Sequence, residues 1–195
     1  GAGVMLAVIL LLLLVIREPE APAAAASSGP EPGVLANLRN VAAGPEKSGL
    51  WLLGAIFFWF VGWNAMEAFF TLYTRNVLGI EVGRGTQMLT AFAATFILFA
   101  IPSGLIATRV GRRPTILVGI AGMLAGLIAG FLIRQPTLLL VVLALMGVFW
   151  SLININSLPM VYDLGGGERI GAYTGLYYFA SSAAAITGPI LAGQL

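Results

Sequence analysis

One carboxylate stands inside a long apolar run. Glu67 lies in the segment Leu50–Tyr73, among Trp59, Phe60, Trp63, Phe69, Phe70 and Tyr73. An ionisable group within a membrane span costs roughly 2.5–3.5 kcal/mol on insertion scales, so it is a functional hypothesis by default. Glu67 sits six residues from the outer end of that segment, about 9 Å in from that face at helical rise. Asn64 and Thr71 share its helix face at i−3 and i+4. A carboxylate beside aromatic rings binds sugar hydroxyls or carries a proton. Glu67, Asn64, Trp63 and Thr71 therefore form one candidate substrate or proton site. Two plainer readings stand beside it: Glu67 snorkels outward to Arg75 and closes an outer gate, or it has no special role.

A second polar group, Ser151, Asn154, Asn156 and Ser157, lies in the segment Thr137–Met160. An amide in lipid needs hydrogen-bond partners, so these residues must face a cavity or a neighbouring helix. Asn154 and Asn156 are about 200° apart on a helix of 3.6 residues per turn. Only one can face a pore unless Pro159 distorts the helix. Ser151, Asn154 and Ser157 are expected on one face, which makes Asn154 the first choice for substrate contact and Asn156 the second. Bonding between helices is the competing role for both. Asn154 lies at a different depth from Glu67.

A third set carries the charge. Gly104-Leu-Ile-Ala-Thr-Arg109-Val-Gly111-Arg112-Arg113 reads as a tight turn between two apolar runs, with three arginines at the membrane surface. Asp163 and Glu168 lie on the same side, just before the last apolar run, where a helix N-terminus favours negative charge. Arginines bridging to that acidic pair would hold one side shut: Gly104, Arg109, Gly111, Arg112, Arg113, Asp163 and Glu168 are the candidate gate. The alternative is that the arginines are topology signals alone.

These residues need a scaffold that lives in lipid. The chain has 195 residues, 59% hydrophobic and 9% charged, with mean hydropathy +0.96. Soluble chains carry about 25% charge, so a soluble enzyme and a disordered chain are excluded. A nucleic-acid partner is excluded too, because the basic residues are scattered through short loops between apolar runs. With no Cys and no His, there is no disulfide, and no metal site or cofactor is expected. Spans of about 20 apolar residues are expected at Gly1–Ile16, Leu50–Tyr73, Thr86–Ala107, Thr115–Ile133, Thr137–Met160 and Ile170–Gln194. The first is short, and the chain reads as a piece of a longer membrane protein. Residues 17–49 form a linker, low in complexity over Ala21–Gly33. Within it, Val34–Val41 suits a helix on the membrane surface, with Val34, Leu35 and Leu38 inward and Arg39 and Asn40 outward.

Arg17, Arg39, Lys47, Arg109, Arg112, Arg113 and Arg169 fall on one side of these spans, and Arg75, Arg84 and Arg134 on the other. Seven against three places the linker in the cytoplasm. Gly122, Gly126 and Gly130 recur at four-residue spacing, as do Ala184, Gly188 and Ala192, which lets helix backbones approach closely. Gly188–Pro189 and Pro102–Ser103–Gly104 should weaken or bend their spans.

The arginine turn resembles the signature loop of the major facilitator superfamily, G-x-L-a-D-R-x-G-R-R. Gly104, Arg109, Gly111, Arg112 and Arg113 match it, and Thr108 stands where that loop has aspartate. The resemblance implies an all-α membrane protein, with these spans as helices six to eleven of a twelve-helix transporter. The N-terminal half of that transporter would then be the partner missing here. Asn156-Ser-Leu-Pro-Met-Val-Tyr-Asp163 and Gly171-Ala-Tyr-Thr-Gly-Leu-Tyr-Tyr-Phe179 look like the glycoside–pentoside–hexuronide and sucrose–proton symporters. By that likeness the chain is a secondary transporter in the plasma membrane that moves a sugar with a proton or sodium ion by alternating access. An exporter of drugs or metabolites is the alternative within the superfamily. An intramembrane enzyme is disfavoured, because this piece offers no pair of catalytic groups at one depth.

Overall fold

The computed structural model describes residues 33–44, 47–165 and 170–194, together with Leu14. The expected span at Gly1–Ile16, linker residues 17–32 and the gate candidate Glu168 lie outside the described residues. Within them the elements are all helices: α1 (Val34–Ala43), α2 (Ser48–Leu78), α3 (Val82–Val110), α4 (Arg112–Leu132), α5 (Pro136–Gly165) and α6 (Ile170–Ala192).

Most helices overrun the apolar runs that signalled them. α2 continues five residues past Tyr73, and α5 five past Met160. A helix satisfies its own amides and carbonyls, so it has no reason to stop where hydropathy falls. It stops where the backbone is redirected. Gly79, at φ +66°, ends α2, and its N–H bonds to the Thr74 carbonyl. Gly111, at φ +101°, is the single residue between α3 and α4. That conformation strains any residue with a Cβ, so Gly111 makes the tightest turn of the fold.

α2, α3, α4 and α5 are long and apolar enough to cross a membrane. α6 has 23 residues, but Gly, Ser, Thr and Tyr dilute its Ile and Leu, and it does not qualify on composition. The expectation of six spans therefore holds for four helices. Their outer faces suit lipid: Ile97, Leu98, Ile101 and Phe131 are each about 70% exposed or more.

Two of the three closest pairings are not between chain neighbours. α3 lies along α5, α4 along α5, and α2 along α6. Missing side chains permit this approach. A Cβ on Gly119 would come within 2.7 Å of Ile153 and 2.8 Å of the Phe149 carbonyl. On Gly122 it would meet the Phe149 ring, and on Gly126 the Met146 side chain. Gly147 abuts the Phe92 carbonyl of α3 in the same way. Gly188 of α6 lies where a Cβ would reach the Val61 carbonyl of α2 at 2.7 Å.

One expectation is corrected here. The α4 glycine seam begins at Gly119 and loosens at Gly130, where a Cβ would stand an ordinary 3.6 Å from Leu139. α6 runs helical through Gly188 and Pro189, and Gly188 packs closely on α2. In α1, Leu38 and Val41 turn inward against α2 and α6, while Leu35 is 73% exposed. Arg39 and Asn40 are exposed as expected.

The seam orders three substitutions. Gly122→Ala and Gly126→Ala should each destabilise by about 1–3 kcal/mol through overpacking, whereas Gly130→Ala should be near neutral. Thermal unfolding midpoints in detergent micelles test this, and equal midpoints for the three variants would contradict it.

Candidate functional site

An open groove of about 440 Å³ runs between α2, α3 and α5. Trp63 and Glu67 come from α2, Thr86, Thr90 and Phe92 from α3, and Trp150 from α5. The Trp63 indole is sandwiched. Its ring lies 4.2 Å from Phe92 at 21° and 5.0 Å from Trp150 at 22°. Phe60 meets Trp150 edge-on at 5.5 Å and Tyr177 of α6 at 6.2 Å. The Tyr177 hydroxyl is 3.0 Å from Ser157 Oγ. Such aromatic pairs contribute about 0.5–1.5 kcal/mol each beyond area burial, so this chain of rings is the joint between four helices.

Glu67 is exposed towards this groove. It does not pair with Arg75: among the described residues the ion pair is Arg112–Asp163. Arg75 is eight residues further on, about 12 Å along the axis, beyond the reach of a single pair. Because α2 runs on to Leu78, Glu67 lies eleven residues from the helix end, about 16 Å rather than 9 Å.

The companions expected for Glu67 divide. Trp63 shares the groove, but Asn64 and Thr71 do not line it. Asn64 lies against Gly188 of α6, and its Nδ2 donates to the Phe60 carbonyl at 2.7 Å. Thr71 lies at the corner where α2 meets Gly85 of α3, and its carbonyl accepts from Thr74 Oγ1 at 2.9 Å. A shared stripe at i−3 and i+4 is wide enough to touch different neighbours.

Asn156 is not a groove residue either. It is 2% exposed. Its Nδ2 donates to the Leu152 carbonyl at 3.0 Å and to Ser103 Oγ of α3 at 3.1 Å. Ser103 Oγ donates onward to the Ser151 carbonyl at 2.8 Å. This clamp sits beside Pro102, which has no N–H to give the preceding turn. Ser151 turns to α3 and Ser157 to α6, so the expected common face with Asn154 splits. Asn154 remains half-buried, one turn beyond Trp150, with no side-chain hydrogen bond among the described residues.

Thr86, Thr90, Phe92 and Trp150 were not anticipated. A signal existed for the threonines: Thr86, Thr90 and Ala93 recur at i, i+4 and i+7 in an otherwise apolar helix.

At the other end of the bundle, Arg112 Nη1 donates to Asp163 Oδ2 at 2.8 Å. Asp163 belongs to the last turns of α5, not to a loop before α6. Each partner alone is badly placed: a cation at the start of α4 and an anion near the end of α5 both oppose the helix dipole. The pair offsets both. Thr108 Oγ1 bonds back to the Leu105 carbonyl at 2.8 Å, so it supplies nothing in place of a carboxylate. Gly104 packs loosely on Ile155, and Arg109 and Arg113 are exposed.

The chain matches the model of the Major Facilitator Superfamily over residues 1–189. It belongs to the major facilitator superfamily. No curated protein and no solved structure matches it. Membership makes this an integral, multi-pass membrane transporter of a small molecule, with the lipid bilayer as its surroundings, and points away from an enzyme. The arginine turn is the one-residue reversal at Gly111.

Ser103→Ala should cost about 1–3 kcal/mol, because it strips the buried Asn156 amide of one partner. Thr108→Ala, at an exposed hydroxyl bonded to its own turn, should cost little. Unfolding of the two variants in micelles checks this, and equal loss would refute the clamp.

Proposed function

We propose that the protein is a cation-coupled sugar symporter working by alternating access. One observation carries the reading: a carboxylate, two threonines and the edge of an aromatic stack line a single open groove. Aromatic edges and C–H groups make apolar contact with a pyranose ring, while hydroxyls and a carboxylate bond its oxygens. α2 to α6, with residues 1–16, are then helices six to eleven of twelve. The other half, of which residues 1–16 would supply helix six, closes the groove's open side and rocks against it. The linker and the arginine turn face the cytoplasm of a plasma-membrane protein. Glu67 carries the coupling proton or holds the substrate, at a depth where a lone charge is costly without such a role.

The competing reading is an exporter of lipophilic cations, favoured by the lone carboxylate. Such cations seek ring faces. Both faces of Trp63 are already covered, and aromatic edges are the positive part of the ring, which favours the oxygen-rich substrate.

Uptake of sugars into liposomes holding the full-length protein, with and without an imposed proton or sodium gradient, tests the proposal. Gradient-driven accumulation is expected. Uptake that ignores the gradient removes coupling, and dye export without sugar uptake favours the competing reading. Glu67→Gln should abolish accumulation yet leave exchange of bound substrate, and normal accumulation would end its coupling role.

The Arg112–Asp163 pair joins α4 to α5 inside one bundle, so it sets the shape of the cytoplasmic gate surface rather than bridging two halves. Arg112→Ala should raise the labelling of a cytoplasmic-side cysteine probe by favouring the inward-open state. As an exposed pair it is worth only about 0–1 kcal/mol of stability, so unfolding should barely change.

A further inference from the structure

In these helices, polar side chains are mostly spent on backbone carbonyls. Thr74, Thr86, Thr95, Thr115 and Thr187 each donate to a carbonyl three or four residues back. Thr95 also reaches Ala144 of α5, and Ser103 and Asn156 tie α3 to α5. Lipid offers no hydrogen bond, so a hydroxyl or amide held there finds a partner within the protein. Two residues depart from this pattern at the groove. Thr90 lines it, and Asn154, which lies outside the lining, is half-buried one turn beyond the lining residue Trp150 on α5; neither side chain has a hydrogen bond among the described residues. Ser48, Thr71, Thr137 and Ser182 also make none, but none of them lies within one helical turn of Trp63, Phe92 or Trp150 along its helix.

Their placement brackets the aromatic stack. Phe92 and Trp150 lie level, on either side of Trp63. Thr90 is two residues from Phe92, about 3 Å towards the Glu67 end. Asn154 is four residues from Trp150, about 6 Å towards the other end. A hydroxyl and a primary amide each donate and accept, which matches a substrate hydroxyl and mismatches an apolar cation.

We propose that Thr90 and Asn154 are the specificity-determining residues of the groove, reading hydroxyl groups at opposite ends of a sugar ring held along the edge of the Phe92–Trp63–Trp150 stack. This rests on the sugar-symport reading and deepens it. Glu67 is left for charge, and the two neutral groups decide which ring isomers are accepted. Loss of a partner at such a site leaves a desolvated group unpaired, so discrimination falls on substrates that lack the matching hydroxyl.

The test measures uptake of hexoses, their methyl glycosides and monodeoxy analogues by the full-length protein in liposomes, for wild type, Thr90→Val, Thr90→Ser and Asn154→Leu. For the best wild-type sugar, Thr90→Val should raise KM about ten-fold with kcat changed far less, and Thr90→Ser should restore it. Wild type should lose about ten-fold in kcat/KM on one particular deoxy analogue, and Thr90→Val should lose nothing on that same analogue. Asn154→Leu should become blind to a different ring position. If the wild type transports sugar and both variants still discriminate every analogue as it does, the inference fails and the symport reading stands. If the wild type takes up no sugar, both fail.

Discussion

Inside a bilayer, a backbone amide or carbonyl has no water to turn to. Much of this structure follows from that constraint. It makes every described element helical, and it carries α2 and α5 past the runs that look apolar enough to span. It also explains how the polar side chains are used. Hydroxyls fold back onto their own turns, and where Pro102 removes a donor, Ser103, Ser151 and Asn156 knit α3 to α5. Against that background an unbonded polar group is informative, and Glu67, Thr90 and Asn154 stand out.

With no hydrophobic driving force between helices in lipid, close approach and shape hold the bundle together. Glycines bring α4 onto α5, α5 onto α3, and α6 onto α2. This leaves two well-packed sets, α3–α4–α5 and α2–α6, with sparser contact between them. The aromatic stack fills that junction, with Trp63 between Phe92 and Trp150 and with Phe60 reaching Tyr177. The groove opens along the same junction. The residues that join the two sets thus also shape the site, and a change at Trp63 would disturb both.

The charged end follows different physics. Arg112 and Asp163 are partly solvated, and their attraction is screened. Their value lies in geometry: they correct two unfavourable dipole placements and seat the start of α4 on the end of α5. Gly111 makes this possible by reversing the chain in one residue. A carboxylate at position 108 would have offered the arginines a local partner; Thr108 bonds to its own turn instead.

Much was legible in the residues alone. Apolar runs of span length mark six candidate spans and their order, of which four are helices long and apolar enough to cross a membrane, because hydropathy is a local property. The spacing of Gly104, Arg109, Gly111, Arg112 and Arg113 determined the superfamily likeness. Glu67 was conspicuous because a lone charge in lipid is costly wherever the helix goes. The partners were not legible. Asn64 and Glu67 share a helix face, yet one meets Gly188 and the other the groove. Asn154 and Asn156 are the same residue type two positions apart, yet one is unbonded and the other is locked to Ser103. Periodicity says which residues point together, but not what they meet. That was decided by which helices lie side by side, and here those are α3 with α5 and α2 with α6, pairs separated along the chain and joined by the fit of glycine notches to facing backbones and rings.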